Sequence, residues 1–255
     1  MKTRKMHILL TNDDGIYAPG IQALHRALEK IARVTVVAPE FERSSVGHGI
    51  TLGHPLWSKK VDRDKKFFGY AVSGTPADCV KFGLKVLLKK KPDLVVSGIN
   101  HGANDGCSLF YSGTIAAARE GALMGVPSLA VSLATFEKPD FTAAADFAAK
   151  IAGQTAANKL PKKTFLNINV PHLPPSRIKG VKVVKHGAAP IHAAFSKRKD
   201  PFSRDYYWMS GKGPVTSKDL SNDTNALSAG YITMVPIHCD MTAYDLLEDI
   251  KSWKL

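Results

Sequence analysis

Two adjacent carboxylates, Asp13 and Asp14, close the first apolar run of the chain, Ile8-Leu9-Leu10-Thr11-Asn12-Asp13-Asp14-Gly15. The run reads as a buried strand and Gly15 as the turn that ends it. Strict alternation would send the two side chains to opposite faces, so they share a target only if the strand has already ended. In open α/β sheets ligands bind outside the carboxyl ends of the strands. Two hard oxygen donors placed there point to a divalent cation, and a cation points to phosphate. For a single Asp, a turn or helix-capping role would be the simpler account. The adjacent pair favours metal ligation.

Three other polar stretches stand where apolar strands end. Arg43-Ser44-Ser45 follows the second strand, Asn100-His101-Gly102-Ala103-Asn104 ends the strand that starts at Leu94, and Ser112-Gly113-Thr114 opens the next helix. In a parallel sheet such ends share one edge and can converge. The Ser44 hydroxyl and the Asn100 carbonyl would complete an all-oxygen set suited to Mg²⁺, Mn²⁺ or Ca²⁺ rather than zinc. Taken singly, each also fits a solvated hydroxyl or a turn residue. Ser112-Gly113-Thr114 offers amides and hydroxyls at a helix N-terminus, a ready anion site compatible with capping by Ser112 or Thr114. Arg43 is either a phosphate contact or a solvated loop arginine. His48 and His101 are either acid–base groups or structural ones. The chain has no G-x-G-x-x-G after a strand, no Walker A, no H-E-x-x-H and no G-x-S-x-G. The adjacent aspartates also lack the D-x-D spacing of an aspartyl-phosphate phosphatase.

The elements that must position these groups alternate. Strands are predicted at 6–11, 34–38, 67–72, 94–96, 128–133 and 165–170. Helices are predicted from Pro19 (with Ile21, Leu24, Leu28 and Ile31 on one face), from Thr75-Pro76-Ala77-Asp78 as a capped start, from Thr114 to about Gly125, and from Phe141 to about Ala157. The long loop from Pro39 to about Pro55 carries Arg43 and Ser44, and loops of that length are usually functional. The expected fold is α/β, a Rossmann-like three-layer core with a mostly parallel sheet. After Pro171 the rhythm changes. Antiparallel strands are expected at 181–186, about 204–209 and 230–237, with a terminal helix from about Thr242. The division is therefore a catalytic core at 1–171 and a C-terminal extension at 172–255. Its segment 186–229 reads as an arm or hairpin packed on the core or on another subunit.

The 255 residues suit one large domain, 44% hydrophobic and 22% charged, with no apolar run near the ~20 residues of a membrane span. The basic start is followed by too short an apolar run for a signal peptide. Cys79, Cys107 and Cys239 are scattered, as expected of reduced thiols in a cytoplasmic protein. The net charge of +13 would steer anionic substrates. Its lysines and arginines are dispersed, so no dedicated nucleic-acid partner is expected.

Together these stretches resemble a known family, the stationary-phase survival protein SurE, metal-dependent 5′/3′-nucleotidases. The resemblance rests on Ile8 to Gly15 with Ala18-Pro19-Gly20-Ile21, Val36 to Pro39 leading to Arg43-Ser44, Gly74 to Val80, Pro92 to Asn104, Tyr111 to Thr114 and Leu166 to Pro171. It implies one divalent cation per subunit held by Asp13, Asp14, Ser44 and Asn100. It implies hydrolysis of nucleoside monophosphates, and in some members of short polyphosphate. The mechanism expected from the residues is attack by a metal-activated water, with Asp13 or Asp14 as the candidate acceptor of its proton. Phosphate would be held by Asn104, Ser112, Gly113, Thr114 and Arg43. The resemblance implies a homodimer or homotetramer built through an exchanged C-terminal extension, with no membrane partner. The sequence departs from the family pattern at Ser45-Val46, where Gly-Ala is usual, and at Asp105 and Cys107. These departures bear on substrate preference. A non-catalytic nucleotide- or RNA-binding role is the alternative from another class.

Overall fold

The computed structural model describes residues 5–158, 160–188, 192–212 and 216–253. The basic start at 1–4 and parts of the predicted arm, 189–191 and 213–215, lie outside these. The elements run β1 His7–Thr11, α1 Pro19–Leu28, β2 Arg33–Pro39, β3 Ser58–Arg63, β4 Lys66–Val72, α2 Pro76–Phe82, β5 Leu94–His101, α3 Gly113–Leu123, β6 Ser128–Ala134, α4 Thr142–Ala157 and β7 Thr164–Pro171. Then follow β8 Val181–Val183, β9 His192–Lys199, β10 Asp205–Lys212, α5 Asp223–Ser228, β11 Ile232–His238 and α6 Leu247–Lys251.

Nine strands form one sheet in the order β3-β4-β2-β1-β5-β6-β7-β11-β8, and β9 pairs with β10 in a separate two-stranded sheet. The strands from β4 across to β7 are parallel neighbours, while β3 and β11 pair antiparallel to β4 and β7. Strand alternation sorts the core into layers. On β1, Ile8 and Leu10 pack with the buried face of α1 and with α4, whereas Leu9 packs with Cys79 and Val80 of α2 and Ala117 of α3. On α1, Ile21, Leu24 and Leu28 are fully buried, each stabilising the fold by roughly 1.5–3 kcal/mol. From β1 the chain winds to one side through β2 and β4. It then returns to place β5 on the other side of β1. The carboxyl ends of β1 and β5 therefore flank the topological switch point, where α/β sheets open a crevice.

Several expectations are corrected. Ile31 lies beyond α1 and is exposed, because the helix stops at Leu28 and the chain turns at once into β2. Lys59-Lys60 is exposed basic surface as expected, but it belongs to an edge strand, β3, that was not anticipated and whose only buried residue is Val61. One inward residue gives too little alternation to recognise, and lysines are common on edges. Residues 181–183 do not pair antiparallel. They run parallel to β11. Strand β9 and helix α5, capped by Asn222, were not anticipated. The terminal helix starts later than Thr242, with a 3₁₀ turn at Tyr244–Leu246 before α6.

The cap of α2 matches its sequence signature. Thr75 accepts from the Asp78 amide and Asp78 accepts from the Thr75 amide. The Asp78 carboxylate also takes the Thr51 amide at 3.0 Å and the Thr51 hydroxyl at 2.6 Å. One buried acid thus caps a helix and ties down the 39–55 loop. Burial alone would raise its pKa, but the hydrogen bonds from Thr51 and Thr75 outweigh it and hold the group below the usual carboxylate value. Asp78→Ala is expected to cost about 2–4 kcal/mol in urea unfolding at pH 7. Because the folded pKa is depressed, the wild-type advantage should shrink as pH falls through the acidic range. A change below about 0.5 kcal/mol would contradict this dual role.

Candidate active site

Beyond Thr11 the chain leaves the sheet, so Asp13 and Asp14 no longer alternate across it. The Asn12 side chain donates to the Gly15 carbonyl at 2.9 Å and Gly15 takes φ +96, which closes the turn. Asp13 is buried, and its carbonyl accepts the Arg43 amide at 2.7 Å. The Thr114 hydroxyl donates to its Oδ1. Asp14 reaches the end of β5, where its Oδ2 accepts the His101 amide at 3.2 Å. Beside it the Asn100 amide nitrogen donates to the Gly102 carbonyl at 2.8 Å, which leaves the carbonyl oxygen as the other branch of that side chain. The Ser44 hydroxyl donates to Glu42 at 2.7 Å, which leaves its lone pairs for a cation.

Helix α3 closes the opposite wall. Ser112 is its N-cap and accepts from the Ile115 amide at 3.1 Å, which decides between the two capping candidates. A Cβ on Gly113 would come within 2.7 Å of the Asp13 Cβ, so only glycine lets the helix start this close to the aspartate. Asp13, Ser44, Asn100, Asn104 and Ser112 line one cleft of about 220 Å³. Asp14, Gly113 and Thr114 are not among the lining residues but adjoin them, Asp14 at the His101 amide and Gly113 and Thr114 against Asp13. Arg43 is not among the lining residues. Its guanidinium donates to the Ser73 carbonyl at 3.0 Å, and its Nε has no partner among the described residues.

The loop bearing Ser44 is fastened at several points. His48 Nε2 lies 2.9 Å from Glu120 of α3, and Lys81 of α2 reaches the other Glu120 oxygen at 2.7 Å. The Gly47 amide donates to the Tyr111 carbonyl at 2.9 Å. Burial would raise the Glu120 carboxyl, but His48 and Lys81 outweigh it and hold it below its usual value. His48 is thereby a fastening for the loop and lies outside the cleft. His101 does line the cleft, and its ring Nε2 pairs with the Glu137 carbonyl at 2.9 Å. Asn104 is locked by groups that the sequence did not single out as partners. Its amide donates to Asn169 at 2.7 Å, its Nδ2 to Ser132 at 2.8 Å, and Asn167 donates to its carbonyl at 2.7 Å. A polar residue inside an apolar strand, as at Ser132, Asn167 and Asn169, was the signal available for them.

A Survival protein SurE family model matches residues 8–193. The chain is 51% identical over 248 residues to the 5′-nucleotidase SurE of Syntrophus aciditrophicus, covering 97% of this chain and 93% of that protein. It is 46% identical to the 5′-nucleotidase SurE of Syntrophobacter fumaroxidans, covering 98% and 100%. The crystal structure of the SurE protein from Aquifex aeolicus superposes with a TM-score of 0.84 at 40% identity, covering 96% and 98%. The chain belongs to the SurE family.

The departures from the family pattern acquire places. Ser45 has φ +58, a left-handed conformation that glycine adopts with less strain. Asp105 and Cys107 do not line the cleft. Asp105 is hydrogen-bonded to Thr224 of α5, and the Cys107 thiol lies 3.5 Å from the Ala188 carbonyl. Both face the C-terminal segment.

The carboxylates carry the electrostatics. Burial raises the Asp13 pKa from 3.8 to about 6, with Thr114 opposing the rise and Asp14 adding to it. Burial also raises Asp14, against the His101 amide and with repulsion from Glu42. Among the described residues, no lysine, arginine or histidine forms an ion pair with either aspartate. One buried and one half-buried carboxylate without an ion-pair partner, beside neutral oxygen donors, fit a hard divalent cation. No cluster of three or more His, Cys, Asp or Glu occurs among the described residues, so the neutral oxygens of Ser44 and Asn100 would have to complete the set.

A raised folded pKa makes the native state the tighter proton binder. Stability from this group is therefore present below the unfolded value and lost as pH rises through the folded one. For Asp13 the window runs from 3.8 to about 6, and the loss approaches about 3 kcal/mol. Metal-free protein should lose thermal stability across that range, Mg²⁺ or Mn²⁺ should restore it at pH 7.5, and Asp13→Asn should weaken both responses, leaving the smaller contribution of Asp14. A melting temperature of wild type indifferent to pH 4–6.5 and to added cation would contradict this electrostatic account.

Proposed function

We propose that this chain is a phosphoric monoester hydrolase that converts nucleoside 5′-monophosphates to nucleoside and phosphate, using one divalent cation per subunit, Mg²⁺ or Mn²⁺. The observation that carries the reading is the carboxylate pair Asp13 and Asp14, without a positive ion-pair partner among the described residues, with buried Asp13 lining one cleft together with Ser112 at the N-terminus of α3. Near-full-length identity to proteins named 5′-nucleotidase SurE supports it. A cation bound by Asp13, Asp14, Ser44 and Asn100 would supply Lewis acidity and a water of lowered pKa. The protein's own groups do the rest. Asp13 or Asp14 takes the proton of the attacking water. The hydroxyl of Thr114 fixes the Asp13 carboxylate. That leaves the Gly113 amide, without an intrahelical acceptor, and the Ser112 hydroxyl proton to meet phosphate oxygens. Asn104, held rigid by Ser132 and Asn169, offers its remaining amide hydrogen. Arg43 would have to leave Ser73 to join them.

The same reading takes residues 172–255 as an extension that serves assembly into a homodimer or homotetramer. Its strands β8 and β11 complete the main sheet, while the β9–β10 hairpin exposes Phe195, Tyr207, Trp208 and Met209. Large apolar side chains exposed on both faces of one hairpin support an interface there. The three free thiols suit a reducing cytoplasm. No helix among the described residues is long and apolar enough to cross a membrane.

Purified protein with Mg²⁺ or Mn²⁺ should release phosphate from AMP or GMP, and a panel of 3′-monophosphates and short polyphosphate will rank the alternatives. Asp13→Asn should lower kcat/KM by at least about a hundredfold. Full turnover in excess EDTA would contradict the reading. In sedimentation, removal of residues 192–212 should shift the assembly towards monomer; an unchanged oligomer would exclude the hairpin as its main contact.

A further inference from the structure

Two aromatic rings stand at the mouth of the cleft with no role in holding a cation or phosphate. Tyr111 and Phe136 both line it, and they are 58% and 85% exposed. A single exposed ring is ordinary on a protein surface, but two aromatic rings at the rim of one polar cleft form an apolar patch of the kind that marks a binding site. Phe136 is not on a loose end. Its loop is pinned where it leaves β6, with the Thr135 amide bonded to the Leu133 carbonyl at 2.8 Å and the Glu137 amide to the Thr135 hydroxyl at 3.0 Å. His101 Nε2 holds the next carbonyl, that of Glu137, at 2.9 Å, and the His101 ring lies 6.3 Å from the Phe136 ring. Beneath the ring is the bare backbone of Gly102, where a Cβ would come within 2.6 Å of it. The ring is thus seated over a glycine and held at the rim of the site, with its apolar surface still offered to solvent.

We infer that Phe136, with Tyr111 as the second aromatic wall, is the stacking platform for the base of the nucleotide. The inference rests on the nucleotidase reading above and deepens it. The carboxylate pair and the turn at Ser112 deal with the phosphate end and are blind to the base. A planar, uncharged group leaving the cleft meets aromatic faces, and stacking tolerates any base because every base has a π-face. The platform therefore sets the preference for nucleotides over other phosphate monoesters. It leaves discrimination among bases weak.

The test compares AMP with ribose 5-phosphate, which carries the same phosphate and sugar without a base. The ratio of their kcat/KM values cancels any loss of folded protein. Phe136→Ala should lower that ratio about tenfold, mostly through KM for AMP, and Phe136→Tyr should preserve it. Tyr111→Ala should lower it in the same direction. An unchanged ratio in Phe136→Ala, with both substrates falling together or neither falling, would overturn the platform while leaving the phosphatase reading intact. If the wild type hydrolyses neither ester, that reading fails on its own. The platform then stands or falls on adenosine binding by calorimetry, which Phe136→Ala must weaken and Phe136→Tyr must not.

Discussion

The carboxylate of Asp13 lies out of water, held by the Thr114 hydroxyl, with a second carboxylate next to it and no positive side chain paired to either. A lone ionised group in such a place is normally neutralised by a partner or by a proton. The rest of the molecule is arranged around leaving that charge uncompensated by protein. The sheet order brings the ends of β1 and β5 together at the switch point. Gly113 lets α3 start against the aspartate, and two buried acids, Asp78 and Glu120, fasten the Ser44 loop across the gap. Stability given up at the aspartates is offset elsewhere in the core, the usual relation between a strained functional centre and its scaffold.

The fastening ties the Ser44 loop to two helices. Asp78 sits on α2 and Glu120 on α3, and each holds part of the loop that carries Ser44. A loop positioned from two helices keeps its donors in register without being part of the sheet. Such preorganisation is what a metal site on irregular backbone requires.

Much of this arrangement was legible in the sequence, for identifiable reasons. The parallel strands are short, continuous apolar runs, and the cap at Thr75-Pro76-Ala77-Asp78 is a local signal that needs no tertiary context. The paired aspartates after a buried run pointed to the strand end where they stand. What stayed hidden depends on contacts far apart in the chain. Strand β3 has one inward residue, β8 takes its direction from pairing with β11, and Ile31 followed the helical period past the point where the chain had to turn. The service of Ser132, Asn167 and Asn169 to Asn104 spans 28 to 65 positions, beyond any local pattern. Arg43 shows the opposite limit. Its position in the sequence suggested phosphate, while its guanidinium is engaged by the Ser73 carbonyl.

The most direct measurement is the anomalous scattering of Mn²⁺ in crystals of the protein. The account requires one strong peak per chain, about 2.0–2.5 Å from oxygens of both Asp13 and Asp14 and within the reach of Ser44 and Asn100. A peak held by other residues, or none at saturating Mn²⁺ with both aspartates ionised, would contradict it.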